Sequence, residues 1–480
     1  MNNFKLKNLL ILSLLFVGCE SSTYGPKWSS AIDDIANEAM NTGKVAGISV
    51  GVAYGDSEFF KGYGKADLEL DVATPDNAIY EIGSVTKQFT AASIIKLAEE
   101  GKIDLNADIR KYLGRDTEFP DKKGYNTQGH IIPVIRLLDH TSGIKGYTEM
   151  PSARPLFVQD LPRDSLVSLF SEHPFDFPPG EQMIYNNSAY FLAGLIIEKV
   201  SGKTYADYVE ENFFKPLGMD NSSYCSNQAI WKNRAHGYDT DKETGEMIHK
   251  GYLVHSIPYA AGSLCSTVKD LVKWNQALHK GGILSNSVYR QMITPGQLND
   301  GTVLRYAQGL GLTKVANRKA IHHGGGINGF LSQSLYFPEE DLTVVVLANT
   351  AGPISPSELA ENIAIEILGL VAEEKIAIDL SKNEIQKLAK VYSGVARGRK
   401  VNVEIAIDGN NLTYLVKNAE EKQGEAYTSI EDQPEPIKLN YLGEGIFQDG
   451  STNLTFKRFK NRDELRMDMG YGYSIFTAVK

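Results

Sequence analysis

Apolar and polar positions in the first hundred residues predict a β-hairpin followed by a buried helix. Residues 48–54 and 57–63 are rich in valine and aromatic side chains, and the Gly55-Asp56 pair between them is typical of a tight turn. Residues 86–100 place apolar side chains at helical spacing and are followed by a glycine, as is usual just beyond a helix C-terminus. This segment is so strongly apolar that we expect a helix in the centre of the fold.

Helical spacing recurs further along the chain and alternates with strand-like runs. Helices are predicted at residues 189–200, 269–279 and 359–371. Two apolar runs, 331–337 and 342–348, predict strands joined by a short polar turn. Strands near both ends of this region, with helices between them, indicate one α/β unit whose sheet is built from both ends.

The tail, residues 379–480, has a different pattern. Ser381 and Glu384 have the spacing of a helix capping box. Beyond them short strands dominate, with alternating apolar and polar residues at 401–407 and a closing strand at 475–479. The tail is therefore predicted to be a separate antiparallel β domain.

The composition is that of a folded globular protein. The chain has 480 residues, of which 42% are hydrophobic and 22% charged, so neither a single small module nor intrinsic disorder fits. Basic and acidic side chains number 49 and 59, and the resulting net charge of −10 repels nucleic acid. We therefore expect no nucleic-acid partner.

Residues 1–18 have the layout of a secretory signal. Lys5 and Lys7 precede an apolar stretch, residues 9–17, that is shorter than the ~20 residues of a membrane-spanning helix. A glycine then precedes Cys19, and this junction is similar to a bacterial lipobox, at which the signal is cleaved and the cysteine is lipidated. We expect a protein secreted across the inner membrane and lipid-anchored in the cell envelope, facing the periplasm or the cell surface. Plain secretion and an uncleaved membrane anchor stay open.

The remaining cysteines are Cys225 and Cys265. In an oxidising compartment they are able to form a disulfide. Sequence does not decide whether they pair, so a disulfide and two free buried thiols both stay open.

Four Ser-x-x-Lys sequences occur, and their surroundings single out the first. Ser84 opens the apolar helix, where the helix dipole favours developing negative charge. Lys87 follows three residues later on the same helical face, and burial would lower its pKa enough for it to activate the serine as a nucleophile. The other three pairs begin in mid-helix, in a glycine-flanked loop and at a helix cap: Ser93/Lys96, Ser142/Lys145 and Ser266/Lys269.

Tyr185-Asn186-Asn187 is the single Tyr-x-Asn sequence among 24 tyrosines. A tyrosine beside a lysine can relay protons, and Asn187 can orient a substrate carbonyl while holding the lysine. On the residues alone, the simpler interpretation is a packed tyrosine and an asparagine cap on the following helix.

His322 and His323 precede three glycines, 324–326, and a predicted strand. Glycines let a backbone approach a ligand closely, so amide N–H groups of this segment are candidates to form an oxyanion hole with the Ser84 amide. Paired histidines also suit a metal ion, but no acidic residues with ligand spacing accompany them, and no metal is expected. His140 is interpreted as a structural histidine.

Together these three segments, in this order, resemble the serine β-lactamase and penicillin-binding-protein superfamily, in its class C-like branch of serine hydrolases and esterases. Residues 83–88 are similar to the first motif of that branch, 185–187 to the second and 323–325 to the third. The resemblance covers roughly residues 30–370. Connecting segments that are also characteristic of the branch lie at residues 137–143, 179–181 and 216–219.

The resemblance implies an α/β (α+β) fold with a mainly antiparallel five-stranded sheet flanked by helices. An all-helical lobe would lie beside the sheet, with the active site in the cleft between them. The chain would then comprise a lipoprotein signal peptide (1–18), a linker (19–29), a hydrolase domain (30–372) and a C-terminal β domain (379–480). The β domain is similar to barrel-like domains appended to some of these hydrolases, where it covers the cleft or packs beside it.

The resemblance also implies roles for the candidate residues. Ser84 would be the acylated nucleophile, with Lys87 and Tyr185 sharing the general base and acid roles. No metal or organic cofactor is implied. The substrate-binding residues would be Asn187, His323, Gly325 and Gly326, with the Ser84 and Gly326 amides forming the oxyanion hole.

One departure from the family pattern bears on the substrate. Members that bind β-lactams or peptide carboxylates often carry lysine where this chain has His323, which is largely neutral at pH 7. The expected function is acyl-enzyme hydrolysis of an ester or a peptide-like amide, in a small-molecule, peptide or cell-wall-derived substrate. Two alternatives stay open: a D-alanyl-D-alanine carboxypeptidase or weak β-lactamase, and a non-catalytic envelope lipoprotein that binds a cell-wall or lipid ligand.

Overall fold

The computed structural model describes most of the chain beyond the predicted signal. Cys19 and the signal lie outside the described residues, so cleavage and lipidation stay predictions. None of the described helices is long and apolar enough to cross a lipid bilayer. The described residues are 26–41, 44–113, 131–171, 173–241, 243–371, 377–396, 399–418, 435–450 and 452–479.

Helices and strands alternate up to residue 371, and strands dominate beyond it. The helices are α1 Ser29–Asn41, α2 Thr86–Glu99, α3 Arg110–Leu113, α4 Ile135–Leu138, α5 Arg163–Ser171, α6 Asn187–Ser201, α7 Tyr205–Val209, α8 Lys215–Leu217, α9 Val268–His279, α10 Asn286–Met292, α11 Pro356–Leu368 and α12 Lys382–Leu388. Short helical turns lie at Gly83–Val85, Arg154–Leu156, Glu210–Phe214 and Tyr259–Ala261.

The strands fall into four sheets. In chain order they are β1 Gly47–Tyr54, β2 Ser57–Asp67, β3 Val72–Ala73, β4 Tyr80–Glu81, β5 Met183–Ile184, β6 Ser223–Tyr224, β7 Tyr238–Thr240, β8 Met247–His249, β9 Leu264–Ser266, β10 Gly311–Val315, β11 Arg318–Ile327, β12 Phe330–Phe337, β13 Leu342–Ala348, β14 Thr350–Ala351, β15 Val391–Ala396, β16 Arg399–Asp408, β17 Asn411–Asn418, β18 Ile437–Tyr441, β19 Ile446–Asp449, β20 Thr452–Phe459, β21 Arg462–Asp468 and β22 Gly472–Ala478.

The main sheet has the order β10-β11-β12-β13-β1-β2-β3, and all its pairings are antiparallel. The predicted hairpin is β1–β2, and β1 pairs with β13 from the far end of the domain, so the sheet is built from both ends as predicted. The expected five strands are the central ones, β11 to β2. The hairpin strand β10 and the two-residue β3 extend the sheet to seven strands.

Alternating side chains place two hydrophobic cores on the two faces of this sheet. Val344 and Val346 face α1 and α11, whereas Val345 and Leu347 belong to the larger core that includes α2, α6 and α9. The predicted central helix is α2, in which 11 of 14 residues are buried. Within this core the Phe89 ring stacks on Trp274 with centroids 3.9 Å apart.

The tail forms a closed eight-stranded barrel. Strands β15 to β22 pair in sequence, and β15 pairs with β22 to close the ring. Alternate residues such as Val401, Val403 and Leu454 fill its interior. The predicted capping box of Ser381 and Glu384 begins α12, which packs against the barrel.

A strand pair joins the barrel to the first domain. Strand β5, which lies just before Tyr185, pairs antiparallel with β22 of the barrel, with Ile184 opposite Gly472. A small core that includes Met183 and Tyr473 lies beneath this pair.

Cys225 and Cys265 form a disulfide, which settles the alternative that the sequence left open. Strand β6 pairs antiparallel with β9, and the Cys225 N–H donates to the Ser263 carbonyl, so the two cysteines lie side by side. Both side chains are buried.

Candidate active site

Ser84 lies in a single helical turn, Gly83–Val85, that leads directly into α2. Gly83 has φ +49°, a region that glycine adopts without strain. A Cβ at Gly83 would lie 3.0 Å from backbone atoms of Gly326, so only glycine lets this turn approach β11 so closely. The turn therefore holds the Ser84 hydroxyl at the edge of the main sheet.

Lys87 lies one helical turn beyond Ser84 and is fully buried. Its Nζ is 3.1 Å from the Ser84 Oγ. The same Nζ donates to Asn187 Oδ1 at 2.8 Å and to the Ala261 carbonyl at 2.8 Å. The helical spacing of Ser84 and Lys87 was readable from the sequence, whereas Asn187 and Ala261 come from distant segments.

Burial lowers the pKa of Lys87 well below its ordinary value, and the negative charge of Glu149 opposes this only in part. A neutral amine has two N–H donors and one lone pair. When Lys87 is unprotonated, Asn187 and Ala261 accept its two N–H donors, which leaves the lone pair for the Ser84 Oγ. This geometry suits a base that removes the proton of the Ser84 hydroxyl.

Tyr185 follows β5 and lies beside Lys87, whose Nζ is 4.7 Å from the centre of its ring. The Tyr185 hydroxyl is buried and makes no hydrogen bond within the described residues. Burial raises the pKa of Tyr185 well above its ordinary value, and the adjacent Ser84 hydroxyl opposes this only in part. Tyr185 is therefore a neutral phenol at pH 7, able to donate a proton.

The two asparagines that follow Tyr185 have different tasks. Asn186 is the N-cap of α6, where its side chain accepts from the Ala189 N–H at 2.9 Å, so the simpler sequence interpretation holds for this residue. Asn187 instead faces Lys87, and its Nδ2 donates to Thr148 Oγ1 at 2.8 Å. That second bond fixes the amide so that its oxygen points at the lysine.

His140 packs against the segment of Tyr185 and Asn186, in agreement with a structural role. Its ring is buried and packs on the Tyr185 ring with centroids 4.2 Å apart. Its Nδ1 accepts from the Asn186 N–H at 3.1 Å. Burial lowers the pKa of His140, so the ring stays neutral.

His323 lies on β11 with only 1% of its surface exposed. Its Nδ1 is 2.6 Å from the Gly324 carbonyl, to which it donates, so its Nε2 accepts from the Tyr306 hydroxyl at 2.8 Å. Burial lowers the pKa of His323 to about 3. The ring is therefore neutral and both nitrogens have partners, which leaves neither for a substrate carboxylate.

The glycines after His323 bring the edge of β11 against the Ser84 turn. A Cβ at Gly325 would lie 2.2 Å from the Ile82 carbonyl oxygen and 3.0 Å from the Ser84 nitrogen. Ser332 of the neighbouring strand donates to the same Ile82 carbonyl at 2.8 Å. The Ser84 turn and residues 325–326 thus form one continuous backbone surface, and Gly326 is exposed on it.

The other Ser-x-x-Lys pairs have ordinary structural contacts. Ser93 donates to the Phe89 carbonyl within α2. Lys145 forms an ion pair with Asp176 at 2.8 Å. Ser266 bonds to Ser222 at 2.8 Å.

Sequence reasoning missed two tyrosines of this site. Tyr306 bonds to His323, and Tyr471 comes from the barrel to contact the rings of Tyr185, Tyr306 and His323. Neither residue lies in a recognisable motif, and the resemblance implies only that the β domain as a whole covers the cleft or packs beside it. Among the described residues one trio, Asp67, Glu69 and His236, is close enough to hold a metal ion, and it includes none of these groups.

The sequence profile of the Beta-lactamase family matches residues 32–368, which include Ser84, Lys87, Tyr185, Asn187 and His323. The chain belongs to the Beta-lactamase family. It thereby joins the superfamily of serine hydrolases that also contains the penicillin-binding proteins, and its sheet and helical lobe are those of that superfamily.

Individual members of the family show moderate similarity. Protein flp of Staphylococcus aureus (strain MRSA252) is 28% identical over 343 residues, which are 70% of this chain and 66% of that protein. The chain thus matches slightly less than two thirds of the length of this curated relative. The solved structure of a D-stereospecific amidohydrolase from Streptomyces sp. is 27% identical, covers 71% of this chain and 99% of that one, and has a TM-score of 0.60.

A third structure extends the likeness of fold toward the C-terminus. The octameric penicillin-binding protein homologue from Pyrococcus abyssi covers 93% of this chain and 99% of its own, with a TM-score of 0.61. Its sequence identity is 23%, so this comparison shows the shared fold alone. Since the family profile stops at residue 368, a coverage of 93% includes part of the barrel region.

Proposed function

We propose that this protein is a serine hydrolase that acts through an acyl-enzyme on Ser84, with an ester or a peptide-like amide as substrate. One observation carries the proposal: the buried Lys87 Nζ lies 3.1 Å from the Ser84 Oγ and also donates to Asn187 Oδ1 and to the Ala261 carbonyl. A lysine held in this way is a base, not a surface cation. Its geometry argues against a protein that only binds a ligand.

The first half of the reaction forms the acyl-enzyme. Lys87 removes the Ser84 proton as Oγ attacks the substrate carbonyl carbon, and the N–H groups of Ser84 and Gly326 stabilise the oxyanion. Tyr185 gives its phenolic proton to the leaving group as the carbon–leaving-group bond breaks, and it regains a proton from the Lys87 ammonium.

The second half of the reaction releases the acid. Water loses a proton to the Lys87 and Tyr185 pair and attacks the acyl carbon. Ser84 Oγ departs and takes a proton back, which restores the starting state with one water consumed.

The wall of the cleft favours a substrate without a free carboxylate beside the scissile bond. His323 stands where carboxylate-binding relatives carry lysine, and its pKa of about 3 keeps it neutral. Both of its nitrogens are bonded within the protein. The likeness to a D-stereospecific amidohydrolase adds D-configured amides to simple esters as substrates to test first.

Intact-protein mass spectrometry tests the proposal. The wild type and Ser84→Ala are each exposed briefly to an activated aryl ester, a D-amino acid amide and a penicillin. We expect the ester to add one acyl group to the wild type and none to Ser84→Ala, and the penicillin to label slowly. Equal labelling of both proteins would overturn Ser84 as the nucleophile. Fast penicillin labelling would instead support a carboxypeptidase or weak β-lactamase.

We also propose that the mature protein begins at a lipidated Cys19, on the strength of the signal-like layout of residues 1–18. Expression in a bacterial host followed by mass analysis of the N-terminal peptide tests this. The expected product lacks residues 1–18 and carries lipid on Cys19, and Cys19→Ser abolishes that modification. An unmodified Cys19 in the wild type would contradict the proposal.

A further inference from the structure

Tyr471 brings a side chain of the C-terminal barrel into the cleft. It lies in the short turn between β21 and β22, and its ring packs within 6 Å of the rings of Tyr185, Tyr306 and His323, with centroid distances of 5.7, 5.8 and 5.6 Å. Burial raises the pKa of Tyr471 to about 12, so it remains a neutral phenol. The barrel therefore contributes directly to the wall of the site.

Two sets of contacts hold the Tyr471 turn in place. The β5–β22 pair ends immediately beside it, with Ile184 opposite Gly472. On its other side the Arg305 Nε donates to Asp468 Oδ2 at 2.7 Å, and the same guanidinium donates to the Asp468 carbonyl at 3.0 Å. Because both ends of this turn are fixed, the Tyr471 side chain is held in place at the wall of the cleft.

The Tyr471 hydroxyl takes up a backbone hydrogen-bonding site on the edge of β11. It accepts from the Gly324 N–H at 3.2 Å and shares a hydrogen bond of 3.2 Å with His322 Nδ1. The Gly324 carbonyl is also engaged, because His323 Nδ1 donates to it. Both backbone groups of Gly324 are thus already bonded within the protein.

The alternation of backbone groups along β11 shows which of them remain available to a substrate. His322, Gly324 and Gly326 direct their backbone groups to the same edge, away from β12. His322 lies opposite Gly311 of β10, and Gly324 is covered by Tyr471. Gly326 is therefore the first residue of this edge that can pair with a substrate.

The covered position lies on the leaving-group side of Ser84. In the proposed reaction Tyr185 protonates the leaving group, so that group departs toward the Tyr185 hydroxyl. Tyr471 packs edge-on against the Tyr185 ring, at an interplanar angle of 87°. A leaving group that extends beyond Tyr185 along β11 meets the Tyr471 ring.

We propose that Tyr471 is a specificity-determining residue that closes the leaving-group side of the cleft. The inference rests on the proposed acyl-enzyme function and deepens it. The enzyme takes acyl donors with small leaving groups, such as ammonia or a short alcohol, and disfavours bonds in the interior of a peptide.

The test is a series of substrates with one acyl group and leaving groups of increasing size, from methanol to a long-chain alcohol and from ammonia to a dipeptide amine. The values of kcat/KM are measured for the full-length wild type, Tyr471→Ala, Tyr471→Leu and Tyr471→Phe. Met469→Ala is the matched control, because Met469 lies in the same turn and is exposed to solvent. Circular dichroism and thermal unfolding verify that each variant is folded.

We expect Tyr471→Ala to raise the ratio of kcat/KM for large over small leaving groups at least tenfold. Tyr471→Leu should give a smaller rise, while Tyr471→Phe, which keeps the ring, and Met469→Ala should retain the wild-type order of preference. An unchanged ratio in Tyr471→Ala and Tyr471→Leu, with Ser84 still acylated, would overturn this inference alone. If no substrate acylates Ser84 in the wild type, the proposed function falls, and the inference falls with it.

Discussion

Tyr185 and Tyr471 face each other across the strand pair that joins the two domains. In the β5–β22 pair Met183 lies opposite Tyr473 and Ile184 opposite Gly472, so the next position in register pairs Tyr185 with Tyr471. Their ring centroids are 5.7 Å apart. The strand that ends at the proposed acid is thus the strand that positions the barrel, and any shift of the barrel changes the surroundings of Tyr185.

Replacing Lys87 should abolish most acylation. Lys87→Ala removes the amine that lies 3.1 Å from the Ser84 Oγ, and loss of a general base costs about 10²- to 10⁴-fold in rate. The burst of aryl alcohol released from an activated ester measures this. Lys96→Ala, on the same helix, is the control. A full burst in Lys87→Ala would refute the mechanism.

Acylation should also fall as the pH is lowered. The amine is active only when unprotonated, so the rate constant declines as pH drops through the pKa of Lys87, which burial holds well below its ordinary value. Because that pKa is lowered, the enzyme should retain activity at pH values where an exposed lysine is fully protonated. Stopped-flow acylation against pH measures the profile. A rate that rises toward acid would contradict a free-amine base.

Acid should weaken the fold partly through His323. The unfolded histidine takes up a proton below its ordinary pKa of about 6.5, whereas the buried ring, with a pKa of about 3, does not. From pH 8 to pH 5 the wild type should therefore lose about 2 kcal/mol of unfolding free energy relative to His323→Gln. Urea unfolding of both proteins at the two pH values gives the difference. A constant difference would show that His323 is protonated in the folded state.

The contact between the barrel and the first domain should depend on the buried guanidinium of Arg466. Arg466 is 3% exposed, and it pairs with Asp300 of the first domain at 2.6 Å and with Glu464 at 2.7 Å. Arg466→Ala leaves two carboxylates without their partner, so a loss of about 3 kcal/mol in stability is expected. Chemical unfolding measures the loss, and limited proteolysis reports loosening of the barrel. The exposed pair of Lys417 and Glu404 is the control, since Lys417→Ala should cost less than about 1 kcal/mol.

Two neighbouring glycines should respond differently to the same change. A Cβ at Gly325 meets the Ile82 carbonyl oxygen at 2.2 Å, whereas a Cβ at Gly326 finds its nearest neighbour, Leu331, at an ordinary 3.5 Å. Gly325→Ala should therefore displace the Ser84 turn and reduce acylation by about 100-fold or more, because a misplaced nucleophile loses its alignment. Gly326→Ala keeps its N–H and should retain far more activity. Equal losses of acylation in the two variants would show that the close contact between β11 and the Ser84 turn does not align the nucleophile.

The disulfide should add measurable stability. It closes a loop with a sequence separation of 40 residues, for which chain entropy gives about 4 kcal/mol. We expect the double variant Cys225→Ala and Cys265→Ala to unfold at lower denaturant, and a reducing agent to lower the stability of the wild type alone. Unchanged unfolding in the variant would contradict this prediction.

Local patterns were enough for the secondary structure near the site. The spacing of apolar residues predicted the central helix α2, which spans Thr86–Glu99, and the turn residues predicted the β1–β2 hairpin. The separation of three residues placed Ser84 and Lys87 on one helical face. These features depend on backbone geometry within one or two turns, so a sequence pattern records them directly.

The partners of those residues depend on packing between distant segments. Lys87 bonds to Asn187 and Ala261, which are 100 and 174 residues away. The Tyr-x-Asn sequence predicted the first of these contacts, whereas no sequence pattern indicated the second. The resemblance implied five strands, which are the central ones of the sheet, and the edge strands β10 and β3 extend it to seven. The two-residue β3 is too short to show a periodic pattern in the sequence.

What the sequence by itself determined is the family and the order of its motifs, since each motif is a run of adjacent residues. Tertiary structure alone decided that Cys225 pairs with Cys265, that both nitrogens of His323 are bonded inside the protein, and that Tyr471 enters the cleft. Each of these rests on contacts between elements that are far apart in the chain. Such contacts form only when the sheet, the helical lobe and the barrel have packed together, and no local pattern encodes them.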